Sequence, residues 1–173
     1  MAIELAAAGV VALLFARIGV QPVVAGFAFL GVLGVALAQI DLAVQRLPDR
    51  LTLAGYPALI ALLSLAAAVT GTWQDLVRAL LGALALGSVY LLLGLLSGGQ
   101  LGGGDIKLAG LIGLVLGWAG WRVLIVGASL GFVLAALVGL ALLASRRVSR
   151  RSMISFGPYM LAGSLLAILS VQW

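Results

Sequence analysis

Between the few charged residues of this 173-residue chain the sequence runs apolar for long stretches, most of them near the ~20 residues that a helix needs to cross roughly 30 Å of hydrocarbon. The runs fall at 2–19, 22–40, 52–70, 76–96, 106–119, 122–144 and 155–172, and they leave no room for a separate soluble domain. Composition agrees: 64% of residues are hydrophobic and 9% charged, where a soluble domain has about 45–50% and about 25%. The expected fold is therefore an all-α integral membrane protein, a bundle of six to seven transmembrane helices forming one multi-pass domain over residues 1–173. The count depends on 106–119, which is short and interrupted by glycine. The first run has Glu4 as its only early charge and no basic stretch before it, so it reads as a retained helix rather than a cleaved signal.

Chemistry is bounded by what is missing. The chain has no cysteine and no histidine, which removes Ser-His-Asp triads, cysteine nucleophiles and thiolate zinc sites built from its own residues. No cofactor and no metal is expected. The side-chain carboxylates left for acid–base work are Glu4, Asp41, Asp49, Asp75 and Asp105.

Net charge is +5, but the basic residues lie in connections between runs, which points to membrane topology and not to nucleic acid. With a cytoplasmic N-terminus and seven crossings, Arg46, Arg50, Lys107, Arg146, Arg147, Arg150 and Arg151 fall inside, and Arg17, Arg78 and Arg122 outside. Cytoplasmic connections accumulate Lys and Arg, so this orientation is favoured. It puts Asp41, Asp49 and Asp105 on the cytoplasmic side of the plasma (inner) membrane, with Asp75 beside Arg78 on the other. Gly113-x-x-x-Gly117 and Gly127-x-x-x-Gly131 have the spacing of closely packed helices.

Two segments could carry chemistry. In Ile40-Asp41-Leu42-Ala43-Val44-Gln45-Arg46-Leu47-Pro48-Asp49-Arg50-Leu51-Thr52 an apolar run leads directly into Asp41, where partial desolvation suits an acid–base role. Asp49 instead sits between two arginines after a proline, and an N-cap of the following helix is its structural alternative. In Ser97-Gly98-Gly99-Gln100-Leu101-Gly102-Gly103-Gly104-Asp105-Ile106-Lys107-Leu108 five glycines precede an acid, giving a permissive backbone that another chain can approach. A phosphate loop fits poorly, because the acid would repel phosphate and the Walker spacing is absent. A plain connector with Asp105 as helix cap and Lys107 as its neighbour is the structural alternative here.

Acids near hydrocarbon are costly and are usually paired, turned to a cavity, or functional. Two aspartates within a few ångströms would share a proton, one acting as base toward water while the other protonates a scissile carbonyl.

These segments together resemble the type IV prepilin leader peptidases, membrane aspartic proteases with a Gly-x-Gly-Asp motif. Phe156-Gly157-Pro158-Tyr159 is similar to the element opening that family's last helix. The resemblance spans roughly residues 25–165 and implies Asp41 and Asp105 as the catalytic pair. Asp49 falls at the secondary acidic position, and Gly102, Gly103, Gly104 and Lys107 belong to the second motif. It implies a prepilin or pseudopilin precursor as partner, cut at the cytoplasmic membrane face, typically after a glycine. Larger family members carry an insertion with paired Cys-x-x-Cys motifs tied to N-methylation. With no cysteine in this chain, peptidase activity without methyltransferase activity is expected. Presenilin-type proteases are a weaker match, since their first motif is Tyr-Asp and Asp41 follows Ile40. The competing classes are a small cation or proton-coupled transporter using the same acids, and a silent assembly subunit in which the glycines form a hinge. Oligomeric state is not readable from the sequence.

Overall fold

A computed structural model describes residues 2–97, 101–145 and 155–172. Seven helices follow one another: α1 (Ala2–Ile18), α2 (Val24–Val44), α3 (Asp49–Thr70), α4 (Trp73–Leu96), α5 (Gly103–Ala119), α6 (Trp121–Ala144) and α7 (Gly157–Ser170). Each expected apolar run overlaps one of them, and α2 to α6 extend past their runs by one to four residues at one end. No strand occurs among the described residues. Four helices, α2, α3, α4 and α6, are long and apolar enough to cross a membrane by length and composition.

The breaks between helices follow from local backbone chemistry. Gly19, Gly71 and Gly120 take positive φ values of 78°, 74° and 134°, conformations that strain a residue with a Cβ, and α1, α3 and α5 stop there. At the end of α2, Gln45 adopts the left-handed conformation at φ 52° and its N–H bonds the Asp41 carbonyl. Pro48 then prevents the helix from resuming in register, and α3 starts immediately after it.

Helix α5 is the centre of the bundle. Every residue from Leu108 to Trp118 is buried, because α2, α3, α4, α6 and α7 all pack against it. Its glycines explain how neighbours come so close. A Cβ at Gly113 would lie 2.5 Å from the Gly82 carbonyl oxygen, and one at Gly117 would lie 2.8 Å from the Arg78 carbonyl oxygen, so α4 and α5 meet backbone to backbone. Between α6 and α7 a Cβ at Gly163 would lie 2.4 Å from the Gly131 backbone nitrogen. The small-residue spacings thus act in packing.

The outer helices reverse the pattern of a soluble protein. Leu84, Leu91, Leu95, Ile125 and Leu140 are among many large apolar side chains turned outward, the arrangement expected when lipid is the solvent. At the end of the bundle away from the second motif, Arg78 pairs with Asp75 at 2.8 Å. Its Nε donates to the Gly117 carbonyl at 2.7 Å, and its terminal nitrogen donates to the Trp118 carbonyl, closing the C-terminus of α5. Arg146, Arg147, Arg150 and Arg151, the main support for the orientation, lie outside the described residues.

Candidate active site

Asp41 is buried, at 5% exposure, although it is a carboxylate. Helix α2 does not stop before it, as the apolar run suggested, but continues to Val44, leaving Asp41 in the last turn with its side chain turned into the bundle. A buried carboxylate requires hydrogen-bond donors, and the start of α7 supplies them. The Gly157 N–H donates to Asp41 Oδ2 at 3.1 Å, and the Ser155 hydroxyl donates to the same oxygen. Gly157 is required for this approach, since a Cβ there would lie 2.8 Å from Oδ2. In the sequence Gly157 is marked only by a resemblance, and Ser155 is not marked at all. A hydroxyl two residues before the Gly-Pro step is the one signal that could have flagged it.

Asp105 comes from the opposite motif. It is the third residue of α5, preceding the apolar run that starts at Ile106, and its N–H bonds the Gly102 carbonyl at 3.0 Å. Gly102 holds the N-cap position and no side chain caps the helix, so the alternative reading of Asp105 as a helix cap does not hold. Burial and the negative charge of Asp41 raise the Asp105 carboxyl from 3.8 to about 6, against a smaller lowering by a backbone hydrogen bond from Gly102. The two aspartates, 64 residues apart in sequence (105 − 41), therefore act on one another across the α2–α5 contact. Tyr90 of α4, fully enclosed, lies within electrostatic reach of Asp105. Its ring stacks on Phe132 at 5.4 Å and meets Phe156 at 6.0 Å, so an aromatic cluster walls this side of the acids.

The three glycines before Asp105 differ in what they do. A Cβ at Gly104 would lie 2.7 Å from the Leu47 Cβ, so Gly104 lets the α2–α3 connection lie directly on the first turn of α5. Gly103 faces open space, and a Cβ at Gly102 would make only ordinary contact with the Asp105 carboxyl.

Asp49 and Lys107 form a pair apart from the two acids. Lys107 Nζ donates to Asp49 Oδ1 at 2.6 Å, with Asp49 largely exposed. The N-cap of α3 is Pro48, so the alternative capping role of Asp49 is not realised, and its carboxylate pairs with Lys107 from α5. The reason is geometric: a residue in the first turn of α3 projects toward α5, against which α3 packs. Among the described residues no group of three or more metal-ligating side chains is brought together.

A sequence model described as the Type IV leader peptidase family matches residues 27–145. The chain is 39% identical over 139 residues to a prepilin leader peptidase/N-methyltransferase of Pseudomonas putida, covering 78% of this chain and 46% of that protein. It is 37% identical over 155 residues to a protein of the same name from Dickeya chrysanthemi, covering 84% and 53%. With the Bacillus subtilis protein of that name it shares 32% identity over 165 residues, covering 92% and 63%. The chain thus spans about half the length of most curated relatives that it matches. No solved structure matches it.

Proposed function

Because the chain belongs to the type IV leader peptidase family, we propose that it is a membrane aspartic endopeptidase that removes the leader peptide of type IV prepilin-like precursors. In this reading the cut is made at the cytoplasmic face of the inner membrane. The observation that carries it is the placement of Asp41 and Asp105, carboxyls from separate motifs, on the packed helices α2 and α5, near enough for the Asp41 charge to help raise the Asp105 carboxyl. A single buried acid could be structural. Two placed so that the charge of one raises the other's cost of ionisation are a poor way to build stability and a good way to hold one proton between two carboxyls.

The hydrogen bonds divide the labour. Asp41 accepts two donors on Oδ2, while Oδ1 takes neither of them, which suits it as base toward a water. Asp105, with its raised carboxyl, is the proton donor. Water attacks the scissile carbonyl carbon, Asp41 takes the water proton, and the Asp105 proton passes to the carbonyl oxygen. As the C–N bond breaks, Asp41 returns its proton to the leaving nitrogen and Asp105 regains one from the diol. Both carboxyls end as they began, and neither metal nor cofactor enters this scheme. Family membership supports peptide cleavage, and none of the relatives named above is named for transport.

The raised Asp105 carboxyl sets a pH dependence. The donor holds its proton below about pH 6 and loses it above. The kcat/KM for leader cleavage, which reports the free enzyme, is expected to fall about tenfold per pH unit on the alkaline side of that value. A profile flat from pH 5 to 8 would remove Asp105 as the proton donor. Asp49→Asn breaks an exposed ion pair, an interaction worth about 0–1 kcal/mol, and is expected to lower activity less than about fivefold. Complete inactivation by that change with normal folding would move Asp49 into the catalytic set.

The deciding experiment is co-expression with candidate prepilin and pseudopilin precursors, followed by mass measurement of their N-termini. Precursors shortened by their leader support the reading. Precursors left full-length beside a folded, membrane-inserted protein refute it.

A further inference from the structure

Tyr56 lies in α3, away from both acidic motifs, yet its hydroxyl donates to the backbone carbonyl of Lys107 at 2.7 Å. That carbonyl belongs to the first turns of α5, two residues beyond Asp105. The phenol reaches it through a notch that only glycine provides, since a Cβ at Gly110 would lie 2.0 Å from the Tyr56 oxygen and 3.0 Å from Cζ. The same Lys107 is held from α3 a second time, by the Asp49 carboxylate on its ammonium group. One residue on the other side of Asp105, Gly104 rests on Leu47 of the connection that joins α2 to α3. The start of α5 is thus pinned on both sides of Asp105 by the segment that follows Asp41. The tie at Tyr56 is the more enclosed of the two made to Lys107, because its hydrogen bond is partly buried whereas the Asp49 pair is exposed.

We propose that Tyr56, seated in the Gly110 notch, is a positioning residue that fixes the separation of the Asp41 and Asp105 carboxyls by latching α3 to the start of α5. The inference rests on the peptidase reading and deepens it. A helix interior does not need this bond, because the Lys107 carbonyl lies within reach of the backbone N–H four residues on. What the extra donor adds is register between helices. Without it the solvent-exposed Asp49–Lys107 pair is the polar tie left from α3 to the first turns of α5 beside their apolar packing, and Asp105 can move away from Asp41. Charged and titratable groups around Asp105 are Asp41 from α2, Tyr90 from α4, and the Asp49–Lys107 pair at the α3 face. Of these, Asp41 acts on Asp105 most directly.

The test is Tyr56→Phe, which keeps the ring in its notch and removes only the donor. The kcat for leader cleavage is expected to fall about tenfold with KM changed less than about twofold, since small misplacement of reacting groups acts on the chemical step. The alkaline limb of the kcat/KM profile is expected to move to lower pH by about half a unit, because a more distant Asp41 raises the Asp105 carboxyl less. A merely structural loss would lower the amount of folded enzyme and leave that limb in place. The chain has no cysteine, so spin labels at Arg50→Cys and Gly103→Cys give an independent measurement. The label distance is expected to broaden in Tyr56→Phe. Unchanged kcat, unchanged pH limb or an unchanged label distance overturns the latch. Absence of cleavage by the unsubstituted protein refutes the peptidase reading instead, so the two failures are distinguishable.

Discussion

Asp41→Asn and Asp105→Asn are each expected to lower leader cleavage by about a thousandfold or more while the protein still inserts and folds. Asparagine keeps the shape of the side chain but can neither take the proton from water nor give one to the carbonyl, and each of those transfers is worth about a hundred- to ten-thousandfold. The folded state should tolerate the changes. At position 41 the amide oxygen can still accept from the Gly157 N–H and the Ser155 hydroxyl. At position 105 the sign is opposite to that of an ordinary salt-bridged acid. The Asp105 carboxyl is raised from 3.8 to about 6 in the fold, so its ionised form opposes folding, and stability contributed by its protonated form is lost as pH rises through about 6. Asp105→Asn is therefore expected to melt at the same temperature as the unsubstituted protein near pH 3, below the unfolded value of 3.8, and at a higher one at pH 8, above the folded value of about 6. Activity lost together with stability gained would mark a group kept for chemistry at the expense of the fold. Near-normal cleavage by either variant removes that residue from the catalytic pair.

The helices were legible because hydropathy is a strong signal when lipid is the solvent. Their ends followed from residues whose backbone preferences are local, such as Gly71, Pro48 and Gly120. Helix α5 shows where that signal stops. Its run at 106–119 is short for a span and rich in glycine. Hydropathy cannot separate a helix facing lipid from one enclosed by protein, since both need apolar side chains. The glycines that weakened the span are what allow α4 to enclose it.

At the candidate site, motif and solvation single out Asp41 and Asp105 in the sequence. Their partners are not singled out, because those come from chain segments far away in sequence: Ser155 and Gly157 for Asp41, and Lys107 for Asp49 across 58 residues. Arg46 and Arg50 were the natural partners for Asp49 by proximity, but an ion pair is chosen by which helix faces which. Tyr56 carried no sequence signal at all. Its role rests on a missing side chain at Gly110, and one glycine among 24 says nothing until the neighbouring helix is in place.

Gly113→Val is expected to have the largest effect on the fold. Its first added carbon would sit 2.5 Å from the Gly82 carbonyl oxygen and 2.7 Å from the Ala83 Cα, both backbone atoms of α4. A flexible side chain could turn aside, but here relief requires α4 and α5 to separate along their whole contact, the most extensive in the bundle. Overpacking against side chains costs about 1–3 kcal/mol. Against backbone the upper end of that range is a minimum, and about 3 kcal/mol corresponds to roughly 10 °C in melting temperature for a chain of this size. The loss is expected to appear as a fall of that order in the temperature at which the purified protein leaves its folded peak in size-exclusion chromatography. Cleavage should fall with it, because α5 carries Asp105. Gly9→Ala is the control, as nothing lies within 4 Å of its added carbon and helix propensity improves by roughly 1 kcal/mol. If Gly113→Val melted with the control, α4 and α5 would not meet through their backbones, and the buried position of α5 from which Asp105 is presented would have to be redrawn.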